Sequence, residues 1–371
     1  MADIVTALDS ARDDTRNPGT SASRIERGRD LRWFVGAAGA LVVTVVVGAS
    51  IGPAGPDWWR VPLELLDRLP LISIDSGVTE AEWAIVWKVR MPRVILGGLV
   101  GGMLSVAGAS YQGVFRNPLV DPYLLGAASG AGLGATIALT VGRGTTASWS
   151  IDPVPAMAFV VAVVTVMVTY LVGTAFRGSH SVGSTGVTLV LAGVAVVSFT
   201  TAVQTFILQR NTELFREVFR WILGSLARAT WSDVRLVVPY VLIATVTLVL
   251  HRRHLDAFRV GDQEAATLGV SVERTRLVIV VAATLGTAAV VSVAGLIGFL
   301  GLVVPHVVRL VAGAGYRRLI PLSFLCGASF LITADIPGRM LSNPAETPIG
   351  VVTAFIGAPF FIYLLRSRRI S

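Results

Sequence analysis

Ten stretches of this chain are apolar and about long enough to cross a bilayer, which takes roughly 20 residues of helix. Charged residues make up only 15% of the 371 residues, against roughly 25% in an ordinary soluble domain. We therefore predict an all-α polytopic membrane protein of about ten transmembrane helices. The predicted spans are 33–51, 94–114, 123–141, 153–173, 187–208, 234–250, 277–297, 299–315, 319–334 and 348–365.

The two ends of the chain are polar. Residues 1–30 mix acidic and basic side chains without the pattern of a cleavable signal peptide, so we predict a flexible cytoplasmic tail, with the membrane domain at 31–371. The arginines that precede the first span favour a cytoplasmic N-terminus. Ten spans return the C-terminus to the same side. The excess of basic residues on the inner side is weak, so the outer arginines need an explanation of their own.

The composition excludes several kinds of site. The one cysteine, Cys326, cannot form a disulfide within the chain or a Cys-x-x-Cys metal site. Of the 31 lysines and arginines only Lys88 is a lysine, and it lies in VWKVRMP, which is not a P-loop. If ATP powers this protein, another chain binds it. The basic residues lie between spans instead of in one patch, which argues against nucleic acid.

A short repeat connects two distant parts of the chain. SVAG occurs at 105–108 and at 292–295, and each copy is followed ten residues later by a proline, Pro118 or Pro305. The copies fall in spans two and seven, which cross the membrane in opposite directions because their separation is odd. Inverted repeats broken at matching glycine and proline positions are typical of transporters. We predict an inverted repeat of spans 2–5 and 7–10.

The segment FRNPLVDPYLLGAASGAG, residues 115–132, interrupts the apolar sequence. Irregular backbone at membrane depth persists only where it is buried in protein or faces a water-filled path. We expect a tight turn beside a pathway, with an ordinary loop between two helices as the alternative.

Acidic residues are nearly absent from the spans; Asp335 lies near the end of span nine and Asp121 in the turn. An ion-driven transporter normally needs carboxylates within its bundle. This favours a machine powered by another chain over a proton- or sodium-driven secondary transporter. A structural membrane subunit without a pathway is a third hypothesis.

Ordered motifs over most of the chain resemble the permease subunits of ABC importers for iron-siderophores, haem and cobalamin (FecCD/BtuC type, type II importers). The similarity extends from about residue 33 to 369. Among its motifs are VRMPR at 89–93, GASYQGVFRNPLVDPYLLGAASGAG at 108–132, GLIGFLGLVVPHVVR at 295–309 and ETPIGVVTAFIGAPFF at 346–361.

The resemblance implies a permease in the bacterial plasma membrane with its pathway at a twofold interface. Its partners would be a second permease subunit, identical or different, two ATP-binding subunits and an extracytoplasmic substrate-binding lipoprotein. ATP and Mg would be bound by the partner ATPase, so this chain would need no cofactor, metal or catalytic residue of its own. Ferric siderophore is the leading substrate, with haem and cobalamin as alternatives.

The resemblance also implies an inner gate. Asn117 and Leu119 would occupy the gating positions between spans two and three. Asparagine can hydrogen-bond across a dimer axis, and leucine can close an apolar constriction. Ser184 and Thr185, before span five, would contribute in parallel.

A short helix at 262–268, bracketed by Gly261 and Gly269, is predicted within an inner loop at about 255–276. About two turns are too few to be stable alone, so this helix needs a partner. By resemblance it is the coupling helix that docks on the ATPase, with the apolar anchors Ala265, Ala266 and Leu268. The full set of predicted coupling residues is Asp262, Glu264, Ala265, Ala266, Leu268 and Gly269.

Arg90, Arg93 and Arg339 lie at predicted outer ends. By resemblance they would meet acidic residues of the binding protein as rim charges, since arginine pairs carboxylates through a rigid fork. Contact with lipid phosphates is the alternative.

Three further interpretations concern one helix and three histidines. A non-spanning helix at 212–223, capped by Asn211, should lie across the outer mouth of the pathway or fill space between spans five and six; its predicted apolar face comprises Leu214, Phe215, Val218, Phe219 and Ile222.

His306 could be a haem or metal ligand, but a structural role is favoured because its motif belongs to the whole family. We interpret His251 and His254 as part of a cationic cluster at the membrane edge, with metal binding as the alternative.

Overall fold

The computed structural model describes residues 18–68, 76–142, 152–175, 185–341 and 345–367, and within these ranges no β-strand occurs. The α-helices are α1 Pro18–Ser50, α2 Arg60–Asp67, α3 Glu80–Ile85, α4 Met91–Val114, α5 Ala127–Gly142, α6 Pro153–Ala175, α7 Thr185–Arg210, α8 Phe215–Ile222, α9 Trp231–Leu250, α10 Arg252–Phe258, α11 Asp262–Thr267, α12 Val272–Ala294, α13 Leu300–Ala312, α14 Tyr316–Met340 and α15 Ile349–Ser367. A π-helical turn, Val86–Arg90, joins α3 to α4.

Seven helical stretches are long and apolar enough to cross a membrane: the part of α1 from Asp30, the continuous α3–α4 segment, and α6, α7, α9, α12 and α14. Three shorter apolar helices, α5, α13 and α15, match the remaining predicted spans. The prediction of an all-α polytopic membrane protein is confirmed. With 13 residues, α13 rises only about 20 Å, which is less than the roughly 30 Å of a bilayer core.

The first helix starts earlier than the sequence suggested. Helix α1 begins at Pro18, inside the segment expected to be a flexible tail, and continues into the first span. The rest of the predicted tail, residues 1–17, lies outside the described residues.

Helix α4 is at the centre of the bundle, and glycines let its neighbours approach closely. A Cβ atom added at Gly101 would lie 2.2 Å from the carbonyl oxygen of Gly327 in α14. One added at Gly108 would lie 2.2 Å from the carbonyl oxygen of Gly301 in α13. Small residues of this kind allow close backbone contact between membrane helices. The backbones of α13 and α14 therefore rest directly on α4.

The two copies of SVAG differ in local structure. The first copy lies inside α4, whereas the second ends α12, where Gly295 takes a φ of +71°. Pro118 lies in the turn after α4, and Pro305 lies inside α13. The inverted relation between the two halves stays a prediction.

Helix α13 begins inside the bundle instead of at its edge. The chain leaves α12 at Gly295, passes Phe299 in a left-handed conformation, and starts α13 beside Gly108 in the interior of α4. The Tyr123 hydroxyl accepts a hydrogen bond from the Ile297 amide and donates to its carbonyl, each at 3.1 Å. The breaks before α5 and α13 therefore meet each other within the bundle.

The bundle has two distinct ends. One, here called the Asp335 end, gathers the end of α1 and α14 and the start of α4, joined by Arg93 to Asp335 and by Arg339 to Gly48. The other, the Asp262 end, gathers the end of α4, the short helices α10 and α11, and the starts of α12 and α14. An ion pair between Arg318 and Asp30 places the N-terminal part of α1 at this second end.

Candidate functional site

The turn after α4 carries the predicted gate. The Asn117 side-chain oxygen accepts a hydrogen bond from the Leu119 amide at 2.9 Å, so in this single chain it folds back on its own turn. Leu119 is 46% exposed and borders a small cavity. This cavity is lined by Pro118, Leu119, Leu302, Val303, His306, Phe360 and Phe361. The turn thus faces both α13 and α15.

The second predicted part of the gate is described only in outline. Ser184 lies outside the described residues. Thr185 is the first residue of α7, and its side chain also lies outside them. A gating role for this pair stays a prediction.

The predicted short helix is present as α11, and glycines with positive φ flank it, Gly261 at +130° and Gly269 at +82°. One predicted anchor is corrected. Ala265 is fully buried in the core of the bundle, so it fixes the helix to this chain and offers nothing to a partner. Ala266 and Leu268 face outward, and Leu268 is 69% exposed. An exposed leucine at a helix end is a suitable apolar anchor.

Asp262 forms the electrostatic centre of the Asp262 end. Its Oδ2 atom lies 2.8 Å from Nη2 of the buried Arg276, and its Oδ1 atom lies 3.6 Å from Nη2 of Arg116. The sequence analysis placed Asp262 only among the predicted coupling residues. The two arginines that meet it come from other elements and could not be paired with it from local spacing.

The arginines predicted to face a binding protein are buried instead. Arg93 donates two hydrogen bonds to Asp335, both at 2.8 Å, and one to Glu346 at 2.9 Å. This fork geometry is the one expected for arginine and a carboxylate, but it is satisfied within the chain. The presence of Asp335 in a span was the signal for it, because a buried carboxylate needs a partner.

Arg90 and Arg339 donate hydrogen bonds to carbonyl groups at the end of α1. Arg90 donates to the carbonyl oxygens of Ala49 and Ser50, which end the helix and lack helical partners there, and to those of Gly52 and Ala54 in the loop that follows. Arg339, which is 3% exposed, donates to the Gly48 carbonyl at 2.8 Å. This corrects the expectation that the three arginines are rim charges. Their part in docking stays a prediction that burial does not favour.

The predicted non-spanning helix is observed as a 3-10 turn, Thr212–Leu214, followed by α8. Asn211 does not cap it; its side-chain Nδ2 donates back to the Ile207 carbonyl. Of the predicted apolar face, only Leu214 and Val218 are buried. Phe215 and Phe219 are exposed and stack on each other, with ring centroids 5.9 Å apart.

An apolar groove runs beside α8. Its volume is about 550 Å³, within the range of small-molecule sites. Its lining residues are Ile222, Leu223, Leu296, Gly350, Val351, Ala354, Phe355, Ala358 and Pro359. Helix α15 thus borders this groove with its first half and the cavity at Leu119 with its second.

Within the described ranges, no group of three or more histidine, cysteine, aspartate or glutamate side chains is placed to hold a metal ion. The rings of His251 and His254 lie 5.4 Å apart, and Nδ1 of His251 is 2.8 Å from the Thr247 carbonyl oxygen. The ring of His306 packs edge-on against Phe360, with centroids 6.2 Å apart.

Comparison with known proteins places these features in context. The cobalamin import system permease protein BtuC of Halobacterium salinarum is 36% identical over 372 residues, covering 92% of this chain and 98% of that protein. The Fe(3+) dicitrate transport system permease protein FecC of Escherichia coli is 35% identical over 285 residues, covering 77% of this chain and 84% of that protein.

A solved structure shares the fold. An inward-facing conformation of a metal-chelate type ABC transporter superposes with a TM-score of 0.75 at 27% identity, covering 90% of this chain and 98% of that one. The family model for the FecCD transport family matches residues 40–367. This chain belongs to the FecCD transport family.

Proposed function

We propose that this chain is the transmembrane permease subunit of an ATP-driven importer of metal chelates, with ferric siderophores as the leading substrates. The observation that carries the proposal is the arrangement at the Asp262 end, where an exposed short helix lies beside the turn that borders α13 and α15. A helix that offers Leu268 to the outside suits a groove on another protein. We assign that groove to an ATP-binding subunit.

The Asp262 end is then cytoplasmic, and so are both termini. Arg252, Arg253 and Arg259 precede α11, in keeping with the excess of basic residues on cytoplasmic loops. The assembly comprises a second permease subunit, two ATP-binding subunits that bind ATP and Mg, and an extracytoplasmic binding protein. Asn117 and Leu119, with Ser184 and Thr185, form the inner gate.

The Asp335 end then faces outward. We assign Arg90, Arg93 and Arg339 an indirect part in docking the binding protein: they fix the ends of α1, α4 and α14 beneath the docking surface. The apolar groove beside α8 suits a bulky chelate whose organic shell hides the metal, since a bare cation would require oxygen ligands. Cobalamin and haem are the alternative cargoes with this property.

A secondary transporter is the second candidate, and the position of Asp335 counts against it. That carboxylate is held by two donors of Arg93, which leaves it unsuited to bind and release a coupling ion. Proton coupling in membrane transporters relies on carboxylates that can change their protonation state.

Uptake in a strain lacking this gene tests both parts of the proposal. Labelled ferric siderophore, haem and cobalamin are supplied separately, with and without the gene for the partner ATPase. We expect ferric siderophore uptake to require both genes. Uptake that persists without the ATPase and collapses with a protonophore would establish the secondary transporter instead. Uptake of cobalamin or haem, without uptake of ferric siderophore, would support the importer but identify a different substrate.

A further inference from the structure

Asp262 lies between two arginines, one buried and one exposed. Arg276, near the start of α12, is buried and holds one carboxylate oxygen at 2.8 Å. Arg116, in the turn after α4, is 41% exposed in its side chain and lies 3.6 Å from the other oxygen. The carboxylate is therefore fixed to α12 on one side and meets a more mobile cation on the other.

The backbone of Arg116 is strained. Its φ is +49°, and among the described residues only Phe299 shares a positive φ without being glycine. Glycine or asparagine would take this conformation at a helix end with less strain. Strained backbone that the surrounding structure maintains is found preferentially at functional sites. The arginine side chain must therefore provide something that glycine could not, and among the described residues its one ionic contact is with Asp262.

Arg116 also lies directly before the predicted gate residues in the chain. Asn117 follows it directly, and Leu119, three residues on, borders α13 and α15. On the other side of the ion pair, Asp262 is the first residue of α11, whose far end exposes Leu268. One ion pair thus joins the exposed helix to the gate turn.

We propose that the Arg116–Asp262 ion pair transmits movement of α11 to the turn at 115–120, with Arg276 holding Asp262 in place. The proposal rests on the proposed function, since it requires an ATPase to move α11. Arg116 and Asp262 are positioning residues: the gate itself is formed by their neighbours.

An apolar route runs parallel to this ion pair. A Cβ atom at Gly113, near the end of α4, would lie 2.6 Å from the Tyr316 hydroxyl oxygen and 2.9 Å from Leu255, so α10 and α14 also pack against α4. This packing is untouched by substitutions at Arg116, which therefore separate the two routes.

Transport per ATP hydrolysed, measured with the full complex in proteoliposomes, tests the link. We expect Arg116→Ala to lower this ratio on the order of fivefold, the lower end of coupling between sites, with ATP hydrolysis retained. Arg116→Gly, which removes the strain as well, should lower it equally, and Arg116→Lys should stay near wild type. The control is Arg259→Ala, whose ion pair with Asp256 at 3.8 Å lies within one turn of chain and should have no effect.

An unchanged ratio in Arg116→Ala would overturn the proposal and assign coupling to the apolar route. A wild-type ratio in Arg116→Gly would overturn it too, because coupling would then not require the arginine side chain.

Hydrogen exchange of the full-length permease in nanodiscs tests the link without any partner. Arg116→Ala and Asp262→Asn should both speed exchange of the amides at 115–120 about threefold or more relative to Arg259→Ala; the asparagine still accepts from Arg276. Unchanged exchange would overturn the link. If the wild-type complex transports nothing while exchange responds as expected, the proposed function fails and the contact stands.

Discussion

The two ends of the bundle use the same residue types, arginine with aspartate or glutamate, to different effect. At the Asp335 end Arg90, Arg93 and Arg339 are all buried, and the Arg93 fork is filled by carboxylates at 2.8–2.9 Å. At the Asp262 end one arginine is buried while the other is exposed and lies at 3.6 Å. Charge pairs that are fully buried fix helix ends, whereas a loosely paired charge leaves an element free to move.

The largest effect should come from Asp335→Ala. Asp335 pairs with Arg93 and also lies 3.6 Å from Nε of Arg339. Removing it leaves both buried arginines without this carboxylate, and breaking a buried pair in this way costs about 3–5 kcal/mol. The free energy of unfolding in mixed micelles measures it. Glu346→Ala is the matched control, because that carboxylate is 34% exposed and its loss should cost about 1 kcal/mol or less. Equal losses would mean that the Asp335 end is not specially rigid.

Arg90→Ala should have the next largest effect. It removes the donor for two carbonyl groups at the end of α1 and two in the loop that follows, at a cost of about 1–3 kcal/mol. Because the guanidinium is buried, the salt dependence of binding-protein capture should keep its wild-type slope. Rim charges chiefly set that slope, so a flatter one would restore the direct docking role that the sequence suggested.

Asn117→Ala combined with Leu119→Ala should destabilise the fold little, because both side chains are exposed in the single chain. Its effect should appear as substrate leak from proteoliposomes without ATP, since an apolar constriction and its polar neighbour are both removed. Wild-type leak in the double variant would remove these residues from the gate. The same test on Ser184 and Thr185 reports on the second half of the prediction.

The smallest change in stability, within about 0.5 kcal/mol, should follow Ala266→Arg with Leu268→Arg. The same variant should nevertheless lose co-purification of the ATPase, because apolar anchors dominate helix-in-groove binding. Ala265→Arg is the informative contrast: it should damage the fold itself, as its site is fully buried. A complex that survives the outer double substitution would place the docking surface elsewhere.

The sequence predicted what local patterns determine. Long apolar runs gave the spans, and Gly261 and Gly269 gave the limits of α11, because helix length and glycine termini are local properties. The partners of charged residues were not predictable in this way. Arg93 and Asp335 are 242 residues apart in the chain, so only the packed bundle brings them together. The docking role assigned to the arginines came from the predicted topology and the family resemblance, neither of which shows such a pair.

The contact between Gly108 and Gly301 gives α13 a fulcrum. Gly301 is clamped from three sides, by Gly108, by a 2.8 Å hydrogen bond from Gln112 to its carbonyl, and by Pro122. From there to Ala312 the helix is a lever about 16 Å long, and His306, beside Leu119, lies about halfway along it. If α13 pivots at Gly301 as a rigid helix, a displacement at Ala312 is about halved, without changing direction, where α13 meets the turn at 115–120. On the topology that we propose, a movement at the cytoplasmic surface therefore becomes a smaller one at the predicted gate.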